Sequence, residues 1–267
     1  MLVSDVMSGD VLTVGPDDSA LDIGNLLDEQ NVSGAIVTDD GRVLGVISKE
    51  TFIAHLKIIS EEPIESFLAK DFMEANLISL KSDEDLFDAV ERIQSLPTHV
   101  DRLPVVEDDK LVGVLSKTEL TELYPSILAG RFKVRDLMHY NPSTMESYEP
   151  LTKVVEEMNL SGVKCVLVME GTSLVGLITV KDVSLAMFRE KKICKRTEPA
   201  SVLSAADIMS RALVTVPGSM DSAEAAQLMV DKKIGNLPVV DDTLSGMLTR
   251  TDLLKGFQLM SQQGESL

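Results

Sequence analysis

Two stretches of this chain carry the residue types of a nucleoside grip: Thr179-Val180-Lys181-Asp182 and Thr249-Arg250-Thr251-Asp252. A hydroxyl residue where a strand runs into a helix leaves backbone N–H groups facing outward, and a phosphate is well placed there. An aspartate three residues on can accept two hydrogen bonds from a ribose diol, each worth about 1.5–3 kcal/mol to a charged acceptor. Lys181 and Arg250 add a cation beside the phosphate position. The same Ser/Thr-x-x-Asp/Glu spacing also describes a capping box, in which both side chains satisfy only the first turn of their own helix. Two further stretches are poorer versions. Ser116-Lys117-Thr118-Glu119 has the longer glutamate, which displaces the carboxylate and favours a cap, and Ser48-Lys49-Glu50-Thr51 has no carboxylate at that position. As ligand sites they rank fourth, third, second and first along the chain.

Each stretch ends a motif of glycine, two apolar residues and a hydroxyl: Gly45-Val46-Ile47-Ser48, Gly113-Val114-Leu115-Ser116, Gly176-Leu177-Ile178-Thr179 and Gly246-Met247-Leu248-Thr249. About 40 residues before each stands Asp-x-Met, at Asp5-Val6-Met7, Asp71-Phe72-Met73, Asp136-Leu137-Met138 and Asp207-Ile208-Met209, so one unit recurs every 65 to 70 residues or roughly so. The fourth copy reads as strand Leu213–Val216, turn Pro217-Gly218, a helix over Ser222–Asp231, strands Leu237–Val240 and Ser245–Leu248, then a helix from Thr249. The others predict strand Leu12–Val14, helix Leu21–Gln30 and hairpin Ala35–Ile47; Leu77–Leu80, Leu86–Leu96 and Leu103–Leu115; and Ser143–Met145, Leu151–Leu160 and Cys165–Ile178. A single copy buries too little surface to be stable alone, and pairing supplies the missing core.

Two columns accompany the motifs. Eight residues after each opening aspartate is a hydroxyl, Thr13, Ser79, Thr144 or Thr215, a choice that strand propensity alone also explains. At the start of the middle strand Arg102, Lys164 and Asn236 line up with Ser33, and two residues on Pro104 and Pro238 line up with Ala35 and Val166.

Opening, closing and element order together resemble the CBS domain, the cystathionine β-synthase-type regulatory repeat whose pairs form Bateman modules. The likeness covers nearly the whole chain. It implies an α/β (α+β) fold of four repeats, at 1–56, 67–124, 131–188 and 203–260, paired into modules 1–124 and 131–267. In architecture this resembles the γ regulatory subunit of AMP-activated kinases, which also carries four copies. The resemblance implies an adenosine ligand with its phosphate near the closing hydroxyl, its ribose on the aspartate and its base along the first strand. The contacts carried over are Thr215, Asn236, Leu237, Pro238, Thr249, Arg250 and Asp252 in the fourth repeat. They are Thr144, Lys164, Cys165, Val166, Thr179, Lys181 and Asp182 in the third, and Ser79, Arg102 and Ser116 in the second. AMP, ADP, ATP and S-adenosylmethionine are all candidates. The implied role is a non-catalytic sensor acting on a protein partner or target enzyme.

Composition bounds the alternatives. With 43 acidic and 25 basic residues the net charge of −18 repels nucleic acid and anionic membrane. The exception is a basic stretch, Arg189, Lys191, Lys192, Lys195 and Arg196, in the last of three linkers expected at His55–Leu68, Glu122–Lys133 and Phe188–Ser204. It leaves open a nucleic-acid-binding regulator, as decayed sites leave open a constitutive interaction scaffold. Cys165 and Cys194 lack metal or redox spacing, His55, His99 and His139 stand apart, and no nucleophile with its base is apparent, so neither catalysis nor a metal is expected. Apolar runs are too short to span a bilayer, and a cytoplasmic monomeric disc or homodimer is expected, with apolar Phe52, Leu120, Val183, Leu185, Leu253 and Leu254 covered between modules.

Overall fold

The computed structural model describes residues 1–30, 32–49, 51, 66–75, 78–96, 100–193 and 203–263. The first repeat comprises β1 (Thr13–Val14), α1 (Ala20–Glu29), β2 (Gly34–Asp39) and β3 (Arg42–Ser48). The second has α2 (Ala69–Phe72), β4 (Glu74–Ala75), α3 (Leu86–Ser95), β5 (Arg102–Glu107), β6 (Lys110–Ser116) and α4 (Lys117–Leu128). The third has α5 (Val134–Leu137), β7 (Thr144–Glu146), α6 (Leu151–Ser161), β8 (Cys165–Glu170), β9 (Ser173–Thr179) and α7 (Val180–Ile193). The fourth has α8 (Ala205–Ile208), α9 (Ser222–Lys232), β10 (Asn236–Val240), β11 (Leu244–Thr249) and α10 (Arg250–Gln262).

Hairpins form the centre of every sheet, and in the first three repeats two apolar runs meet at turn residues that take up left-handed backbone. Asp40 and Gly41 turn β2 into β3 with φ of 48° and 81°, and Asp108 and Asp109 do the same between β5 and β6 at 46° and 61°. The first strand runs parallel to the middle one, Thr13 beside Ile36 and Thr144 beside Leu167. In the second and fourth repeats the expected first strand shrinks to single bridges, Leu80 with Val105 and Val216 with Val239. Proline is the cause. Ile36 and Leu167 donate their N–H to Leu12 and Ser143, whereas their counterparts Pro104 and Pro238 have no N–H to give.

The openings are exchanged within each pair, which sequence reasoning did not anticipate. Ser8 of the first repeat bonds both ways with Val114 of the second, and β4 pairs with β3 of the first. Likewise His139 bonds with Met247 and Ser210 with Leu177. Asp-x-Met and the closing glycine are therefore two halves of one contact. A Cβ on Gly246 would lie 2.6 Å from the His139 carbonyl oxygen and 3.0 Å from Met138 Sδ, and one on Gly113 would lie 2.8 Å from Met7 Sδ. The opening aspartates hold the exchanged turn: Asp5, Asp71, Asp136 and Asp207 accept from the N–H of Leu2, Leu68, Lys133 and Ser204 at 2.7–2.8 Å.

Modules meet through the second and fourth repeats, whose buried residues form one cluster from Leu86 and Leu103 through Leu120, Tyr124 and Leu128 to Leu237, Leu253, Leu254 and Phe257. Tyr124 and Phe257 pack edge to face at 5.4 Å, the Tyr124 hydroxyl lies 3.0 Å from Ser222 Oγ, and a Cβ on Gly256 would sit 2.5 Å from that hydroxyl. The linker expected from Glu122 is instead the second half of α4, which runs through Pro125 to Leu128 because its buried Tyr124 and Leu128 offset the proline. Val183 lies in a separate core of the third repeat, and Phe52 lies outside the described residues. So do His55, His99, Cys194 and the side chains of the basic stretch 189–196. Among the described residues no helix is long and apolar enough to cross a membrane.

Candidate functional site

All four closings form the helix cap that their spacing allows. In the fourth, Asp252 Oδ2 accepts from Thr249 N at 2.8 Å and Thr249 Oγ1 at 2.7 Å. In the third, Asp182 Oδ2 accepts from Thr179 N at 2.8 Å and Thr179 Oγ1 at 2.6 Å. Glu119 accepts from Ser116 N at 2.8 Å, and Thr51, lacking a carboxylate, still accepts from Ser48 N at 3.1 Å through its hydroxyl. The N–H following each closing hydroxyl is also engaged: Lys49, Lys117, Val180 and Arg250 donate to the carbonyls of Ser33, Asp101, Lys164 and Gly235 at 3.0–3.2 Å. One of the outward N–H groups expected for a phosphate is thus held by the fold in every copy.

The two aspartates differ in what else they hold. Asp252 is buried, its Oδ1 pairs with Lys255 Nζ at 2.7 Å, and its Oδ2 lies 3.1 Å from His139 Nδ1. Burial would raise its carboxyl, but hydrogen bonds from His139, Lys255 and Thr249 hold it below the usual carboxylate range. Asp182 is half-buried, and among the described residues its Oδ1 has only Ser210 Oγ at 3.5 Å. Ser210 and His139 hold equivalent places, each directly after the exchanged methionine. The expected ranking is therefore reversed on geometry: Asp182 presents an open oxygen and Asp252 does not.

Strand register corrects the middle-strand column. The residues opposite the closing hydroxyls are Gly34, Arg102, Cys165 and Asn236, so Ser33 and Lys164 stand one residue early, beside Asp101 and Gly235. Likewise Pro104 and Pro238 correspond to Ile36 and Leu167, not to Ala35 and Val166. The pairing of hairpin partners, rather than spacing from the preceding helix, sets this register. Leu237 and Val166 face helix-covered cores, so their side chains are turned from any cleft between sheets. Cys165 does lie between the sheets of the third and fourth repeats, with Leu167 and Met247, and burial beside Asp182 pushes its thiol up to about 12. Thr13, Ser79, Thr144 and Thr215 are all exposed.

Two of the cations proposed for phosphate, Arg102 and Arg250, are drawn into contacts between repeats. Arg102 Nη1 donates to Gly34 O at 2.9 Å and its Nε to Asp101 Oδ1 at 3.1 Å. Arg250 Nη1 donates to Thr118 Oγ1 at 2.9 Å while Lys117 Nζ donates to Thr251 Oγ1 at 3.0 Å, a reciprocal pair joining the closings of the second and fourth repeats. Sequence reasoning missed Asp101, His139 and Lys255 as site residues; only the position of His139 directly after Met138 could have flagged one of them.

The sequence profile of the CBS domain matches residues 3–58, 69–126, 134–189 and 205–258. Protein MJ1225 from Methanocaldococcus jannaschii is 26% identical over 243 residues, which cover 82% of this chain and 84% of that one. Its crystal structure, described as that of a proposed archaeal homologue of γ-AMPK, superposes with a TM-score of 0.86 at 22% identity, covering 96% of this chain and all of MJ1225. A conserved protein from Pyrococcus horikoshii superposes at 0.66 with 19% identity over 96% of this chain and all of its own. Protein MJ1404 of the same Methanocaldococcus is 24% identical over 95% of this chain, which spans 61% of that relative's length.

Proposed function

The chain belongs to the CBS-domain family, with four repeats, and from that premise we propose that it is a non-catalytic regulatory protein that binds an adenosine ligand between paired repeats and passes that state to a protein partner in the cytoplasm. The observation that carries this reading is Asp182. One of its oxygens caps α7 through Thr179 and the other faces the exchanged opening with, among the described residues, only a long contact to Ser210, which leaves an acceptor for a ribose diol. Exposed Thr144 lies on the first strand of the same repeat, and Cys165 lines the space between the two sheets near Asp182. AMP, ADP, ATP and S-adenosylmethionine are the ligands to compare.

Signalling would follow from the exchanged openings. A ligand seated on Asp182 touches the third repeat directly and the fourth through Ser210, so its binding free energy biases how the two repeats sit against each other. The fourth repeat shares its core with the second, which carries that bias to the other module. A constitutive scaffold is the second reading, supported by the caps that occupy Thr51, Glu119 and Asp252. A melt with each ligand separates the two. Ligand at a hundred times its dissociation constant adds about 2.7 kcal/mol, a rise of roughly 5–11 °C. Flat melts with all four ligands at millimolar concentration would leave the scaffold.

A further inference from the structure

Asp101, just ahead of β5, joins the first and second repeats and carries its charge to the third and fourth. Its Oδ1 accepts from Arg102 Nε at 3.1 Å and its Oδ2 from Ser33 Oγ of the first repeat at 3.1 Å. Arg102 reaches on to the same Ser33 hydroxyl and to the Gly34 carbonyl. The Asp101 carbonyl accepts from Lys117 N at 3.0 Å, which ties it to the closing whose Thr118 hydroxyl holds Arg250 of the fourth repeat. Burial would raise the Asp101 carboxyl, yet the charges of Arg102 and of Lys164 from the third repeat, with hydrogen bonds from Arg102 and Ser33, hold it far below the usual carboxylate range. Burial lowers the Arg250 guanidinium from its ordinary value, against the raising charges of Asp101, Glu119 and Glu122. Arg250 Nε is buried without an acceptor.

Of the four cations that the adenosine reading offers to phosphate, Arg102 therefore binds a carboxylate of the chain itself, and Lys164 and Arg250 lie within reach of its charge. We infer that Asp101 is a specificity-determining residue that stands in for ligand phosphate at this centre and restricts the site to adenosine ligands with one phosphate. This rests on the adenosine reading above. With Asp101 already offsetting part of the positive charge of these cations, less is left for ligand phosphate, which favours a monophosphate of charge about −2 over a longer phosphate chain. Each further phosphate brings more negative charge toward Asp101, Glu119 and Glu122, and like charges held at short range in a partly buried site exclude a ligand more strongly than they would in water.

Calorimetric titration of the full chain with AMP, ADP, ATP and inorganic pyrophosphate tests it. The native chain should bind AMP at least about tenfold more tightly than ATP. Asp101→Asn should tighten ATP and pyrophosphate by about tenfold or more while AMP moves by less than about threefold. Native protein that prefers ATP overturns the inference whether or not the variant folds, as does an ATP-to-AMP ratio equal in both proteins. Pyrophosphate binding that appears in Asp101→Asn, with no nucleotide bound by either protein, sustains the anion role of Asp101 and refutes the adenosine reading instead. Absence of binding by all four to both proteins overturns the inference.

Discussion

Thr179-Val180-Lys181-Asp182 and Thr249-Arg250-Thr251-Asp252 are the same motif on the same turn, with nearly equal cap distances, yet they present different chemistry. The difference comes from neighbours that neither motif contains. The opening exchanged onto the third closing ends in Ser210, whose short hydroxyl reaches Asp182 only at 3.5 Å. The opening exchanged onto the fourth ends in His139, whose ring closes on Asp252 while Lys255 takes its other oxygen. A repeat motif thus states which group could bind, and the partner repeat states whether that group is free.

The largest expected effect lies in that contrast. Asp182→Ala should weaken adenosine-ligand binding by about 2 kcal/mol, near thirtyfold, and lower the ligand-free melt less than Asp252→Ala does, because only the Thr179 cap is lost. Asp252→Ala should leave affinity within about threefold and instead lower the ligand-free melt by roughly 4–8 °C, because Lys255, His139 and the Thr249 N–H lose a buried acceptor worth about 2 kcal/mol together. Calorimetry beside ligand-free melting reads both. Equal affinity losses in the two variants would break the comparison.

Making the fourth site resemble the third should come next in size. His139→Ser copies Ser210, and Lys255→Ala releases the second oxygen, so the double variant gives Asp252 a free acceptor in a closing that is otherwise intact. Binding should rise from about one to about two ligands per chain in titration, at some loss of ligand-free stability. A stoichiometry that stays unchanged would mean that features beyond the aspartate, such as the engagement of Arg250 with Thr118, keep the fourth cleft shut.

Much of this was legible in the residues. Apolar spacing placed helix 222–232 within a residue, and the motif itself located the caps. What stayed hidden depends on contacts distant in sequence. Nothing in Asp-x-Met says that its methionine packs on the glycine of the other repeat, since exchange and self-closure bury the same groups. The middle-strand column slipped by one at Ser33 and Lys164 because hairpin pairing, not distance from the preceding helix, fixes register. Asp101 escaped because an isolated acidic residue acquires its role only when Ser33, Lys164 and Arg250 arrive from three other repeats.

Acid should reveal how Asp252 is held. Its folded carboxyl lies below the unfolded value of about 3.9, so its stabilisation is fully present above that value and is lost as pH falls through the lower folded one. Asp252→Asn removes the titrating group. The melting gap between native protein and this variant should therefore be widest at about pH 6 and should narrow steadily below about pH 4. A gap that stays constant down to about pH 3 would assign the contribution of Asp252 to shape rather than to charge.

The smallest effect concerns the turns that deliver the middle strands to the two sites. Helix α6 ends on Gly162 with φ of 63°, and its counterpart α9 ends on Lys233 with φ of 54°. Both are left-handed caps, and Lys233 N closes the turn on Met229 and Val230. Glycine takes this conformation without penalty, whereas a side chain with a Cβ is strained there by roughly 1–2 kcal/mol, partly offset by the greater freedom glycine has in the unfolded chain. Lys233→Gly should therefore stabilise the ligand-free protein by about 0.5–1 kcal/mol, a rise of roughly 1–4 °C, while Gly162→Lys should lower it by a similar amount. Neither variant touches Asp182 or Asp252, so ligand affinity should hold within about twofold. A change in affinity from either would show that the cap sets the position of Lys164 or Asn236 at the strand start, and the contrast between the two sites would then begin at the helix ends rather than at His139 and Ser210.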